Sequence, residues 1–223
     1  MSEVEKALAR SGVPAASLAA LTRYGELLLE ATQRTNLTAA RTPEALAEHI
    51  VDALSLAPYV RGPLVDVGAG GGLPGIPLAI ACNVPVTLID ATAKKVAFLA
   101  RALSALEVDG QAVCGRAERL AHDPAFREQF AHATARAVAG GSTVLELTLP
   151  FLRIGGTALL QRGALAEPER QAIAGAALVL GGEVTEEISA GGERRIIVVA
   201  KRSPTARRFP RRNGVPAKRP LCS

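Results

Sequence analysis

The chain has no tryptophan and few aromatic residues of any kind: two tyrosines and five phenylalanines, 3% of 223 residues. RNA-binding sheets that stack bases need exposed Phe or Tyr, so that class is disfavoured. A core of Ala, Leu, Val and Ile is expected instead, in a composition that is 48% hydrophobic. Cysteine is scarce as well. Cys82, Cys114 and Cys222 are scattered, form no C-x-x-C pair and have no histidine at metal spacing. The three histidines, 49, 122 and 132, do not cluster either, so no metal site is expected. Cys82 and Cys114 lie in apolar runs and read as inert core thiols. No apolar run approaches the roughly 18 residues of a membrane span. The start, MSEVEKALAR, carries acids and lacks the apolar stretch of a signal peptide. These absences predict a soluble protein of a reducing cytoplasm, with no membrane partner.

Acids are missing from one place only. Residues 201–223 hold eight Lys or Arg and no Asp or Glu. The other 200 residues hold 18 bases against 21 acids, so the net charge of +5 sits in the tail. A basic tail without an apolar face suggests a polyanion, nucleic acid before membrane. The plainer alternative is a solvated tail that aids solubility.

What is present centres on Leu64 to Pro77, LVDVGAGGGLPGIP. An apolar run carries Asp66 near its end; glycines follow at 68, 70, 71 and 72, and then a helical pattern. This reads as strand, tight turn and helix, a floor for a nucleotide-like ligand. A dinucleotide fingerprint wants a third glycine where this chain has Leu73. The pattern Asp66-x-Gly68-x-Gly70-x-Gly72 instead resembles the first motif of S-adenosylmethionine (AdoMet) methyltransferases. Such a ligand needs backbone without side chains against which adenosine and methionine can lie. An ordinary glycine-rich turn with no ligand is the alternative.

The rest of the chain supplies an α/β context. Residues 2–32 read as two helices separated at Gly12-Val13-Pro14, and Thr42-Pro43-Glu44 opens a third. From Leu64 onward strands and helices alternate with short connections, which predicts a mostly parallel sheet covered by helices on both faces. Strands are expected at 85–90, 111–114, 131–135 and 156–161. A loop is expected at Gly115–Glu118 and a short helix from Asp123-Pro124. A hairpin, 182–188 with 195–200, ends the body. Three parts follow: an N-terminal helical cap at 1–60, a ligand-binding domain at 61–200 and a basic tail at 201–223.

Candidate site residues lie where strands end. Asp90 stands about 20 residues past the glycine turn, where a carboxylate can accept from ribose hydroxyls. Capping the next helix is its alternative role. Ala91 and Thr92 would lie beside the same adenosine. Ala117 and Glu118 follow the third strand, where an adenine edge would be read; Glu118 could equally be a surface acid paired with Arg116 or Arg119. Arg136 ends the fourth strand and either faces the crevice, holding a carboxylate or phosphate, or makes a surface salt bridge. No Asp/Asn-Pro-Pro-Tyr/Phe segment and no Pro-Cys nucleophile is present, and no acid/base dyad stands out. That suits an acceptor that is already nucleophilic, such as guanine N7. No catalytic side chain is therefore assigned.

Asn36-Leu37-Thr38 with Arg41, His49-Ile50-Val51-Asp52-Ala53-Leu54, DVGAGGGLPGIPLAI, TLIDATAKKVAFL, GRAE, ARA and Phe209-Pro210-Arg211-Arg212-Asn213-Gly214-Val215-Pro216 together resemble one family. It is the bacterial small-subunit ribosomal RNA guanine-N7 methyltransferases, also called glucose-inhibited division protein B. The resemblance spans nearly the whole chain. It implies a class I, Rossmann-like methyltransferase that acts as a monomer. The implied cofactor is AdoMet, and the implied substrate is 16S rRNA or an assembly intermediate of the small subunit. The implied cofactor-binding residues are Gly68, Leu73, Asp90, Ala91, Thr92, Ala117, Glu118 and Arg136. One departure is Arg162-Gly163, where the family often has Lys-Gly; a compact ammonium is replaced by a planar fork.

Overall fold

The computed structural model describes residues 1–136 and 140–222. Ala137, the last residue of the Ala-Arg-Ala segment, and Ser223 of the tail lie outside the described residues.

Three helices come first. Ser2 caps α1, Glu3–Arg10, by accepting from Glu5 N at 3.2 Å. Pro14 lies just before α2, Ala15–Thr32, as its extended N-cap rather than in its first turn. Thr42 caps α3, Pro43–Leu54, through Ala45 N at 3.2 Å. Such caps contribute about 1 kcal/mol each.

Then β1, Leu64–Val67, leads through the glycine turn into α4, Gly75–Cys82. The alternation continues with β2, Val86–Asp90, and α5, Ala93–Ala105, then β3, Gly110–Cys114, and α6, Ala117–Leu120. Next come β4, Phe130–Thr134, and α7, Gly141–Thr148, followed by β5, Leu152–Arg162, and α8, Glu167–Val179. The hairpin is β6, Gly182–Ser189, with β7, Arg195–Lys201, and the chain closes with α9, Val215–Lys218.

The strands form one sheet in the order β3-β2-β1-β4-β5-β7-β6, and only β7 runs antiparallel. The strand order reverses between β1 and β4, which opens a crevice at their carboxyl ends. Period-two alternation divides the core. Leu64 and Leu88 join α1 to α5 on one face, whereas Val65, Val67 and Ile89 join α7 and α8 on the other. The class I expectation therefore holds, hairpin included.

Three local expectations need correction. Gly115–Glu118 is not all loop, because Ala117 and Glu118 begin α6. Asp123-Pro124 starts no helix: Asp123 Oδ1 accepts from Ala125 N at 2.9 Å, a local bond that closes a turn. Cys114 is not a core thiol. It ends β3, the strand at the sheet's edge, and is exposed, while Cys82 is half-buried. An apolar run does not by itself distinguish an edge strand from a central one.

The basic tail does not leave the body. Lys201 is fully buried, and its ammonium donates to Leu149 O at 3.0 Å and to Thr205 Oγ1. Burial draws its pKa down to about 8. Arg127 donates to Thr205 O (2.6 Å) and Phe209 O (3.0 Å), and the Phe209 ring enters the second core. Arg211 pairs with buried Glu146 on α7 at 2.6 Å. Arg207, Arg208 and Arg212 stay exposed. The segment is a strap whose inner side packs and whose outer side is basic.

Asp66 carries a pH-dependent cost. It is fully buried on β1; Oδ2 accepts from Gly75 N at 2.9 Å, while Oδ1 has no hydrogen-bond partner among the described residues. Burial raises its pKa from 3.8 to about 7. The folded state therefore holds a proton that the unfolded state releases between those values, and stability falls as pH rises through this window. The interval corresponds to about 4 kcal/mol at roughly 1.4 kcal/mol per pH unit. Asp66→Asn keeps a carbonyl for Gly75 N. Urea unfolding should show it at least as stable as wild type at pH 8, with a flatter profile between pH 4 and 7. A variant that tracks wild type across that range would mean that Asp66 is ionised at little cost.

Candidate functional site

The glycine turn is bolted to both neighbouring elements. Gly68 N and Ala69 N donate to Ile89 O at 2.8 and 2.9 Å. Gly68, Gly70 and Gly72 have positive φ, which lets the turn double back over the end of β1. Behind it, a Cβ on Gly75 would lie 2.6 Å from Leu88 Cδ2 and 2.8 Å from Asp66 Oδ2. Close packing of helix on strand, the task of the third dinucleotide glycine, is thus done two residues later than Leu73. From the cap, the buried Tyr24 hydroxyl donates to Gly71 O at 2.9 Å.

Asp90 is the central polar group. Its Oδ2 accepts from Gly70 N at 3.1 Å and its Oδ1 from Thr92 N at 2.8 Å, with Lys95 Nζ 3.9 Å away. The capping role read from the sequence is therefore present in part, since the carboxylate accepts from Thr92 N at the start of α5, and it also braces the turn. A carboxylate has about four lone-pair positions, so two hydroxyl donors can still be accommodated.

Two cavities meet at Gly68. One, of about 210 Å³, is lined by Gly68, Asp90, Ala91, Ala117 and Glu118. The other, of about 500 Å³, is lined by Gly68, Leu73, His49, Asp52, Lys95 and Arg136. Seven of the eight expected residues thus lie along one cleft. Thr92 lines neither cavity; it is exposed and reaches the site through its N–H to Asp90.

Arg136 faces the crevice and also makes the ion pair that was its alternative role. It lines the larger cavity and pairs with Asp52 Oδ2 at 3.6 Å, while Nη1 donates to His49 O at 3.4 Å. Asp52 also faces Arg194 at 3.4 Å, and Gln161 Nε2 donates to Asp52 O at 2.6 Å. The α3 helix is thereby tied to β5 and the hairpin at the mouth. Partial burial, with Arg136 beside it, lowers the pKa of His49, so its ring is neutral near pH 7. Arg162 pairs with Glu169 at 2.5 Å and lines an adjoining cavity with Asp52 and Arg136. Among the described residues Glu118 pairs with neither Arg116 nor Arg119; Oε1 accepts from Gly214 N at 2.9 Å.

Sequence reasoning missed Tyr24, Glu146 and the docking of the tail. The tail had a signal in Phe209, Val215, Pro216 and Leu221, apolar residues spaced through a basic run.

The cleft suits AdoMet. It has bare backbone at Gly68, an almost buried carboxylate at the end of β2, and a cavity on each side of the turn. Sheet order, switch point and cleft define a class I AdoMet-dependent methyltransferase. Solved structures agree at the level of fold. The mitomycin 7-O-methyltransferase MmcR superposes with TM-score 0.56 and 13% identity, over 87% of this chain and 75% of its own. M. jannaschii TYW2, in complex with AdoMet, gives 0.52 and 15%, over 70% and 76%.

Residues 17–198 match the family GidB, rRNA small subunit methyltransferase G, and the chain belongs to that family. Relatives named ribosomal RNA small subunit methyltransferase G include one from Chloroflexus aggregans, 42% identical over 209 residues, with 89% of this chain and 88% of the relative covered. Another, from Leuconostoc mesenteroides, is 38% identical over 212 residues, with 89% of each chain covered.

Proposed function

We propose that this protein methylates N7 of one guanine in the 16S rRNA of the small ribosomal subunit, using AdoMet. The observation that carries the reading is the cleft across Gly68, in a chain that belongs to the methyltransferase G family. Gly68, Asp90, Ala91, Ala117 and Glu118 take the adenosine side, Thr92 positions Asp90, and Leu73 and Arg136 border the methionine and acceptor side. When bound, AdoMet supplies an electrophilic methyl group on a sulfonium. Guanine N7 offers a lone pair without losing a proton, so no general base is required. Methyl transfer would form the N–C bond as the donor's C–S bond breaks, with the positive charge passing to the purine and no proton for the chain's residues to move.

The chain's part is proximity and in-line orientation. The braced glycine turn fixes one reactant. The mouth formed by Asp52, Arg136 and neutral His49 receives the other, with fixed dipoles in place of water. The division into cap 1–60, cofactor domain 61–200 and basic tail 201–223 belongs to the same proposal, as do a monomeric state and a cytoplasmic location. Among the described residues no helix is long and apolar enough to cross a membrane. A methyltransferase acting on a small molecule or protein, or a non-catalytic RNA binder, are the competing readings.

Labelled methyl transfer separates them. Incorporation into undermodified small-subunit rRNA is expected, and its absence with folded, AdoMet-binding protein would reject the RNA substrate. Arg207, Arg208 and Arg212 face outward and suit phosphate binding. Replacing all three with Gln should weaken RNA binding and lower its salt slope by about 0.7–0.9 for each phosphate that is no longer neutralised. S-adenosylhomocysteine (AdoHcy) affinity should stay near wild type. An unchanged slope would leave the tail no role in RNA binding.

A further inference from the structure

The strap reaches the cofactor cleft from outside the sheet. Gly214 and Ala217 line the adenosine-side cavity together with Thr143 and Leu147 of α7. We infer that Arg211–Ala217 is the closing wall of this cavity, and that the Glu146–Arg211 ion pair is the latch holding it over the adenosine. The inference rests on the AdoMet reading of the cleft.

Glu146 is fully buried on α7, and its carboxylate is served by Arg211 alone among the described residues. Arg211 N donates at 2.8 Å, Nε at 2.9 and 3.1 Å, and Nη2 at 2.6 Å. A buried carboxylate bound this completely to one partner is costly to release, so the strap is fixed at this point. Arg211 Nη2 also donates to Arg219 O at 2.8 Å, tying the far end of α9 to the same group.

Between those ends the strap is stitched to the cavity. Gly214, at φ +77°, turns its N–H to Glu118 Oε1 at 2.9 Å. Thr143 Oγ1 donates to Pro216 O at 3.0 Å. The strap thus connects α6 and α7, two elements that line the cavity, and orients the Glu118 carboxylate. Lys201, Arg127 and Phe209 already hold the preceding half of the segment, away from the cavity. Bonds made by residues that line the cavity point to a role in binding. Glu146 and Arg211 are positioning residues, since neither lines the cavity.

The test is AdoHcy titration of the full chain by calorimetry, on two variants that perturb the wall differently. Arg211→Ala opens the latch. Ala217→Trp leaves the latch intact and projects a large side chain from an exposed position at the cavity's edge. Both should raise the AdoHcy Kd about tenfold or more. In Ala217→Trp, RNA affinity and its salt slope should remain within twofold of wild type. If Arg211→Ala fails to fold, Ala217→Trp decides the matter. A Kd within threefold of wild type in Ala217→Trp would overturn the inference. Wild-type protein that does not bind AdoHcy would instead overturn the AdoMet reading on which it rests. In wild type, amide exchange at 211–217 should slow on AdoHcy addition, and unchanged exchange there would also count against the wall.

Discussion

Asp90→Ala should weaken AdoHcy binding by about 100-fold, or roughly 2.7 kcal/mol. The carboxylate braces Gly70 N at 3.1 Å and Thr92 N at 2.8 Å, and in the proposed complex it also accepts from the ribose hydroxyls. Losing a hydrogen bond to a charged acceptor costs about 1.5–3 kcal/mol. The glycine turn also loses a fastening, which adds to the effect on binding. Asp90→Asn should fall between, because its single carbonyl can serve only one side and its amide NH₂ opposes a backbone N–H. Calorimetry on the three proteins checks the series. An alanine variant within threefold of wild type would show that Asp90 only caps α5, the alternative that its position in the sequence left open.

Gly75→Ala should cost about 2–3 kcal/mol of stability and lower Tm by roughly 8 °C. A methyl group there would lie 2.6 Å from Leu88 Cδ2 and 2.9 Å from Asp66 Cβ, so α4 would have to move off β1. The glycine turn joins those two elements, and cofactor affinity should drop with stability. Gly163→Ala is the control, because a Cβ there meets nothing within 4 Å. It should change Tm by less than about 2 °C. Equal effects at both positions would deny that helix–strand packing at Gly75 sets the turn.

Much of the fold was legible because its signals are local. The alternation from Leu64 onward, the Thr42 cap and the terminal hairpin all depend on neighbours within a few residues, and all appear, apart from the helix expected at Asp123-Pro124, which the structure replaces with one at Ala117–Leu120. The cleft was legible for a related reason: in this architecture the strand ends converge at the switch point, so Gly68, Asp90, Ala117 and Arg136 meet there. What escaped depends on partners far apart in sequence. Tyr24 finds Gly71 across 47 residues, Arg211 finds Glu146 across 65 and Gly214 finds Glu118 across 96. Charge counting placed Lys201 and Arg211 among solvated bases, whereas one is fully buried and the other pairs with a buried acid. Cys114 failed in the opposite sense, since an apolar run gave no sign that β3 ends the sheet.

The central claim is that the cleft at Gly68 delivers a methyl group to a guanine N7 in rRNA. The most direct measurement incubates the protein and AdoMet with small-subunit rRNA lacking its base methylations, then maps N7-methylguanosine by chemical strand scission. One new cleavage position in 16S rRNA is predicted, present with wild type and absent with Asp90→Ala. No new position, or methylation at a guanine atom other than N7, would contradict the account.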